Sequence, residues 1–217
     1  MTEAQKQAIR LYRNLPFLDF LHLRIRLINC PFSALIEQLP QKGIIGDIGC
    51  GHGLLCALVA LQKPECKIIG IDPDKHKIEV AQKCLATIPN VELQVETLDD
   101  LPILFDAIII CDVLYLIPLE QWPEILVAVR NHLRPGGYLI LKEAGTEPTW
   151  KYKKALLQEW LMVNIVHRTY QSGGLHFQPK QKTKKMLEDL GFRVDMAKDI
   201  GHGYSTPHIL FTAIRLS

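Results

Sequence analysis

Asp47 and the glycines Gly49, Gly51 and Gly53 are the residues whose types and spacing most directly suggest chemistry. They sit in D-I-G-C-G-H-G, between a short apolar run (Ile44, Ile45, Ile48) and apolar residues at helical spacing (Leu54, Leu55, Leu58, Leu61). That pattern is a buried strand, a glycine turn and a helix. Glycine lacks a Cβ, so such a turn can take positive φ and lay bare backbone against a ligand. The helix that follows points unpaired N–H groups at the same place. A glycine turn of this kind is shared with dinucleotide-binding proteins, whose fingerprint is G-x-G-x-x-G. Here the spacing is G-x-G-x-G, and Asp47 stands two residues ahead of the first glycine. An acid at a strand end repels a pyrophosphate and suits a ligand that carries a positive group.

Further candidates lie at the ends of later strands. Asp72 ends KIIGI, about twenty residues beyond the glycine turn, where an acid can accept hydrogen bonds from both hydroxyls of a ribose. Its alternative role is to cap the following helix, but Asp74 also supplies a capping acid. DAIIICD is a continuous apolar run that suits a central parallel strand buried on both faces. It places Cys111 and Asp112 at its carboxyl end, where ligands of open α/β sheets bind. Asp112 is a site candidate or a helix cap, and Cys111 a small wall residue. His176, His202, Tyr204, Tyr115 and His208 are the groups in the C-terminal half that could serve as a base. His176 and His202 lie in glycine-flanked loops, whereas His208 enters a strand and is expected to pack.

The elements that must position these groups fill one domain of 217 residues. Residues 1–42 form an N-terminal helical cap, 43–143 a ligand-binding core, and 144–217 a lid insertion with the last strands. The cap reads as helices over Glu3 to Asn14, Phe17 to Asn29 and Pro31 to Leu39. In the second, Phe17, Leu18, Leu21, Ile25 and Ile28 form an apolar stripe expected to cover the sheet. A sharper reading makes this helix a lid whose arginine grips a ligand carboxylate. Alternatively its apolar face touches lipid, while Arg24 and Arg26 meet anionic headgroups. Strands are expected at Lys67 to Ile71, Val91 to Val95, Phe105 to Asp112, Tyr138 to Lys142, Phe192 to Ala197 and His208 to Arg215. Helices are expected after Asp72, at Trp122 to Leu133, Trp150 to Tyr170 and Thr183 to Leu190. Arg134-Pro135-Gly136-Gly137 reads as a tight turn. The lysines at 180, 182, 184 and 185 read as a solvated helix start, with an anion-binding patch as the alternative.

Composition narrows the class. A hydrophobic content of 48% argues for a packed globular protein, and a formal net charge of +2 makes no case for a basic nucleic-acid binder. Six scattered cysteines without a C-x-x-C pair read as reduced thiols of a cytoplasmic protein, with no disulfide frame and no metal site. No apolar run approaches the roughly 20 residues that span a membrane, which leaves at most a peripheral contact through residues 17–29.

D-I-G-C-G-H-G, GIDPD, FDAIIICDVLYLIP and LRPGGYLILKE, in this order, resemble the motifs of the class I S-adenosylmethionine-dependent methyltransferases, over about residues 43 to 143. The resemblance implies an α/β fold with a seven-stranded, mostly parallel, doubly wound sheet whose last strand is antiparallel. An N-terminal helical cap and a helical insertion after the fifth strand complete it. It implies S-adenosylmethionine as cofactor and S-adenosylhomocysteine as product. Asp47 with the Gly49, Cys50 and Gly51 backbone would hold the methionine portion, and Asp72 the ribose. Leu98 would contact adenine through its N–H, between Ile71 and Pro73. Cys111 would offer its carbonyl to the methionine ammonium, beside Asp112. Where relatives often carry an acid for the adenine amino group this chain has Thr97, with Asp99 two residues on as the alternative. No N-P-P-Y follows the fourth strand, and no proline precedes Cys111. The expected acceptor is therefore a small, hydrophobic or lipid-like molecule under a lid made from residues 10–39 and 143–182. RNA or protein methylation, and cofactor binding without catalysis, are the alternatives.

Overall fold

The computed structural model describes residues 1–146 and 175–216. The helix expected over Trp150 to Tyr170 lies outside the described residues. Seven strands form one sheet in the order β3-β2-β1-β4-β5-β7-β6. They are β1 Lys42–Ile48, β2 Glu65–Ile71, β3 Val91–Gln94, β4 Phe105–Cys111, β5 Leu133–Ala144, β6 Phe192–Asp199 and β7 His208–Arg215. β1 to β5 pair in parallel, and β7 runs antiparallel to both β5 and β6. The strand order reverses between β1 and β4, so the crevice in which open α/β sheets bind ligands lies beyond the carboxyl ends of these two strands.

The period-two rule assigns the two faces. Ala107, Ile109 and Cys111 of β4 pack into one core with α1 (Glu3–Leu11), α2 (Phe17–Asn29), α3 (Phe32–Ile36), α4 (Leu54–Gln62) and α5 (Lys75–Leu85). Ile108 and Ile110 face the other core, with α6 (Trp122–His132) and α7 (Lys180–Asp189). This double coverage explains why DAIIIC carries no polar alternation.

Two expectations are corrected. The stripe Phe17, Leu18, Leu21, Ile25 and Ile28 does not cover the sheet: Phe17 is 74% exposed and Ile28 60%. The inward row of α2 is Leu23 and Leu27, continued by Cys30. Arg26 lies on this same side and reaches the carboxyl end of β4, which fixes the rotation of the helix. The second correction concerns Arg134 to Gly137. These residues belong to an irregular start of β5, in which Leu133 already pairs with Phe105 and the register shifts before Tyr138. Elsewhere the boundaries move little, except that α1 stops at Leu11 and α3 spans only Phe32–Ile36. The lysines of α7 form ion pairs at its surface: Lys180 with Asp199, Lys184 with Glu188 and Lys185 with Asp189.

Candidate functional site

The glycine turn after β1 is tied down from beneath. The N–H groups of Gly49 and Cys50 both donate to the Ile71 carbonyl, at 2.8 and 3.0 Å, which locks the turn to the end of β2. Gly49 has φ +74°, and a Cβ there would lie 2.5 Å from Val113 Cγ2. The turn and the segment after β4 therefore approach as only glycine allows. Gly51 is different. Its φ is +57°, and among the described residues a Cβ would meet only Lys77 Cδ, at 4.0 Å, the end of a flexible side chain. From the N-terminal cap, the Tyr12 hydroxyl donates to the His52 carbonyl at 2.9 Å.

The acids of the crevice differ in what they face. Asp47 is buried and accepts a bond from Cys56 Sγ at 3.1 Å. Burial is the main cause that pushes its carboxyl up to about 6. Asp72, also buried, accepts the Gly51 N–H at 2.8 Å on one oxygen and the Asp74 N–H at 2.9 Å on the other. Each oxygen keeps a further lone pair for a hydroxyl donor. The helix cap belongs to Asp74, which accepts from the Lys77 N–H. Pro73 follows on the open side of β2 and is exposed.

Beyond β3, the Thr97 N–H and hydroxyl both bind Asp100 Oδ2, at 3.1 and 2.6 Å. Thr97 is thus a local cap; Leu98 beside it is buried and Asp99 exposed.

The end of β4 holds the densest charge. Asp112 has φ +61° and pairs with Lys142, whose side chain is only 1% exposed. Burial would raise the Asp112 carboxyl, but Lys142 and Arg26 hold it below its ordinary value. Burial likewise works against the Arg26 cation, yet Cys111, Asp112 and Cys30 more than offset it and keep it firmly protonated. Arg26 Nη2 donates to the Cys111 carbonyl at 3.2 Å, the atom expected to receive the methionine ammonium.

Glu143, buried in β5, accepts the backbone N–H groups of Val113, Leu114 and Tyr115 at 3.3, 2.9 and 3.3 Å. It anchors the segment that faces Gly49. Neither Lys142 nor Glu143 was singled out from the sequence. The available signal was two adjacent charges continuing an apolar strand run. Burial, then the charge of Asp112, pushes the Glu143 carboxyl up to about 8. Its native form keeps a proton that the unfolded chain releases near its ordinary 4.5, so its stabilising contribution is complete below that value and is lost as pH rises toward about 8. The melting temperature is expected to fall between about pH 5 and 8, and to fall less steeply in Glu143→Gln. Parallel slopes in thermal melts of the two proteins would refute the assignment.

The candidate bases fall into two groups. The His176 N–H donates to the Tyr115 carbonyl at 2.7 Å, and Phe177 stacks on the Tyr115 ring with centroids 5.5 Å apart, so residues 175–178 return to the segment after β4. His176 Nε2 is buried without a hydrogen-bond partner among the described residues. Tyr204 packs edge-on against His208, whose Nε2 lies 2.9 Å from the Asn29 carbonyl at the end of α2. His202 is exposed in the loop between β6 and β7.

Comparison with known proteins bears on the fold and the family. The chain is 29% identical over 114 residues to trans-aconitate 2-methyltransferase of Deinococcus radiodurans, covering 51% of this chain and 41% of that protein. It is 24% identical over 169 residues to malonyl-[acyl-carrier protein] O-methyltransferase of Halalkalibacterium halodurans, covering 76% and 61% respectively. The chain thus spans about half the length of these curated relatives. Among solved structures, the pyocyanin biosynthetic protein PhzM superposes with a TM-score of 0.73 at 17% identity, covering 94% of this chain and 60% of PhzM, and speaks for the fold. A family model described as "Methyltransferase domain" matches residues 20–196. The seven-stranded sheet, the glycine turn at its switch point and this match together place the chain in the class I S-adenosylmethionine-dependent methyltransferase family.

Proposed function

We propose that the protein transfers the methyl group of S-adenosylmethionine to a small, predominantly apolar acceptor that meets it along α2. The crevice fits this cofactor. Among the described residues only the flexible Lys77 side chain approaches the Cβ direction of Gly51, and Asp72 keeps acceptor capacity for ribose hydroxyls. Gly49, Cys50 and Gly51 would border the methionine portion, with Asp47 beneath them, and Leu98, Pro73 and Thr97 or Asp99 the adenine. The bound cofactor supplies an electrophilic methyl on a good leaving group. The protein's task is then to align a nucleophile with that methyl and keep competing water out. Arg26, fixed at the Cys111 carbonyl, is placed to bind a carboxylate at the methionine end. His176 and Tyr115, joined through the backbone, are the pair best placed to take a proton from an oxygen or nitrogen acceptor.

The observation that carries the acceptor class is α2 itself. One side bears Arg26 into the site, while the other exposes Phe17, Leu18, Leu21, Ile25 and Ile28. An exposed apolar face on the helix that carries Arg26 into the site is where an apolar acceptor or the lipid surface that delivers it would meet the protein. Arg24 on the same helix is exposed, as are Arg10 and Arg13 just before it in the chain, which suits an anionic interface. No helix among the described residues is long and apolar enough to cross a membrane.

The test is a labelled-methyl assay on cell extract separated into lipid, small-molecule, RNA and protein fractions. Label is expected in the organic-soluble fraction, and Leu21→Asp with Ile25→Asp is expected to raise KM for that acceptor about tenfold, as removal of a hydrophobic contact of ~1–2 kcal/mol would. Label confined to RNA or protein would overturn the acceptor class. Absence of transfer together with tight cofactor binding would overturn catalysis.

A further inference from the structure

Cys30, Cys111 and Asp112 bring three metal-binding donor atoms within 4.8 Å of one another. Cys30 follows α2, Cys111 ends β4, and both are buried. The two sulfurs are 3.8 Å apart, and Asp112 Oδ2 lies 3.7 Å from Cys111 Sγ and 3.9 Å from Cys30 Sγ. A disulfide requires about 2.05 Å between sulfurs. A tetrahedral cation with sulfur ligands at about 2.3 Å and a carboxylate oxygen at about 2.0–2.2 Å sets the sulfurs about 3.8 Å apart and sulfur from oxygen about 3.5–3.7 Å. The three donors already stand close to that triangle.

Three further features favour a cation here. Lys142 engages only Oδ1 of Asp112 and leaves Oδ2 to the thiols. Ligating carboxylates are commonly oriented in this way by an outer partner. Asp112 is the one non-glycine residue with positive φ among the described residues, and backbone of this kind concentrates at functional sites. Charge is conserved as well. A divalent ion that displaces two thiol protons leaves the net charge of the cluster unchanged, so nothing is added to the balance among Asp112, Lys142 and Arg26.

We propose that Cys30, Cys111 and Asp112 form a binding site for a thiophilic divalent cation of the zinc class, fastening the end of α2 to the carboxyl end of β4. Two thiolates select against hard cations such as magnesium. No further histidine, cysteine or carboxylate among the described residues joins the group, so the fourth position falls to water or a small ligand. Asp112, with 20% of its side chain exposed, marks the open side. The site stands whatever the methyl acceptor is.

The test is titration of the reduced, chelator-stripped chain with Co²⁺ in the absence of oxygen. One equivalent is expected to bind, with sulfur-to-cobalt charge-transfer absorption and the ligand-field bands of a tetrahedral centre, and Zn²⁺ should displace it. Cys30→Ser and Cys111→Ser are each expected to weaken binding at least about 100-fold, beyond the 10–100-fold typical of outer-sphere changes. Cys84→Ser, on α5, is expected to change nothing. Circular dichroism checks that the variants fold, and Asp112→Asn combined with Lys142→Met, which removes the carboxylate ligand without stranding the lysine, is expected to weaken binding as well and keeps the test open if a cysteine variant does not fold. Absence of the charge-transfer band, binding as tight as wild type in either cysteine variant, or a Cys30–Cys111 disulfide found by mass spectrometry before reduction would each overturn the site.

Discussion

Asp112→Asn is expected to destabilise the metal-free protein by about 3 kcal/mol, at the low end of the cost of breaking a buried ion pair, and adding Lys142→Met is expected to restore most of the loss. Lys142 is 1% exposed and its acceptor is Asp112 Oδ1, so removing the negative charge strands a cation where water cannot reach it. Asparagine is the informative replacement because it tolerates the positive φ of Asp112. It also keeps a carbonyl oxygen for Lys142, so the loss reports charge. Methionine matches the length of the lysine stem and removes the cation. For a chain of this size 3 kcal/mol corresponds to roughly 6–12 °C in melting temperature. If the single variant melted with wild type, or the double variant melted below the single, the pair would not be holding this region together.

The same pair illustrates what could be read from the sequence and what could not. β4 and the glycine turn were legible because local rules fix them. A strand buried on both faces needs an unbroken apolar run, and a turn pressed against Val113 needs a glycine at 49. The face that α2 turns inward was not legible. Apolar residues lie on both sides of that helix, so periodicity offers the row Phe17, Leu21, Ile25, Ile28 as readily as Leu23, Leu27, Cys30. What decides is a long-range contact, Arg26 with the Cys111 carbonyl. The cysteine cluster was hidden for the same reason. Metal motifs are recognised by short spacings, whereas Cys30 and Cys111 meet only because α2 folds back over the end of β4. Glu143 was hidden because its partners are three backbone amides, and amides carry no signature in a sequence.

Asp72→Ala is expected to weaken binding of S-adenosylmethionine and S-adenosylhomocysteine by roughly 100-fold or more, since hydrogen bonds to a charged acceptor are worth about 1.5–3 kcal/mol each. Two effects contribute. The carboxylate would accept both ribose hydroxyls, and it already holds the Gly51 and Asp74 N–H groups, so the substitution also loosens the turn that cradles the methionine portion. Asp72→Asn separates them. Its amide oxygen can still accept from Gly51, while the second oxygen and the charge are gone. Calorimetry is therefore expected to show about a tenfold loss in Asp72→Asn, with a modest fall in melting temperature because the Asp74 N–H loses its acceptor, and a larger loss of both in Asp72→Ala. Equal affinity in Asp72→Ala and wild type would remove the ribose from this strand end. An intact affinity in Asp72→Asn beside a lost one in Asp72→Ala would make Asp72 a brace for the glycine turn, with the ribose held elsewhere. The arrangement of β2 favours direct contact: the carboxylate sits at the strand's carboxyl end, on the β1–β2 side of the switch point, bonded to the N–H of Gly51 in the glycine turn.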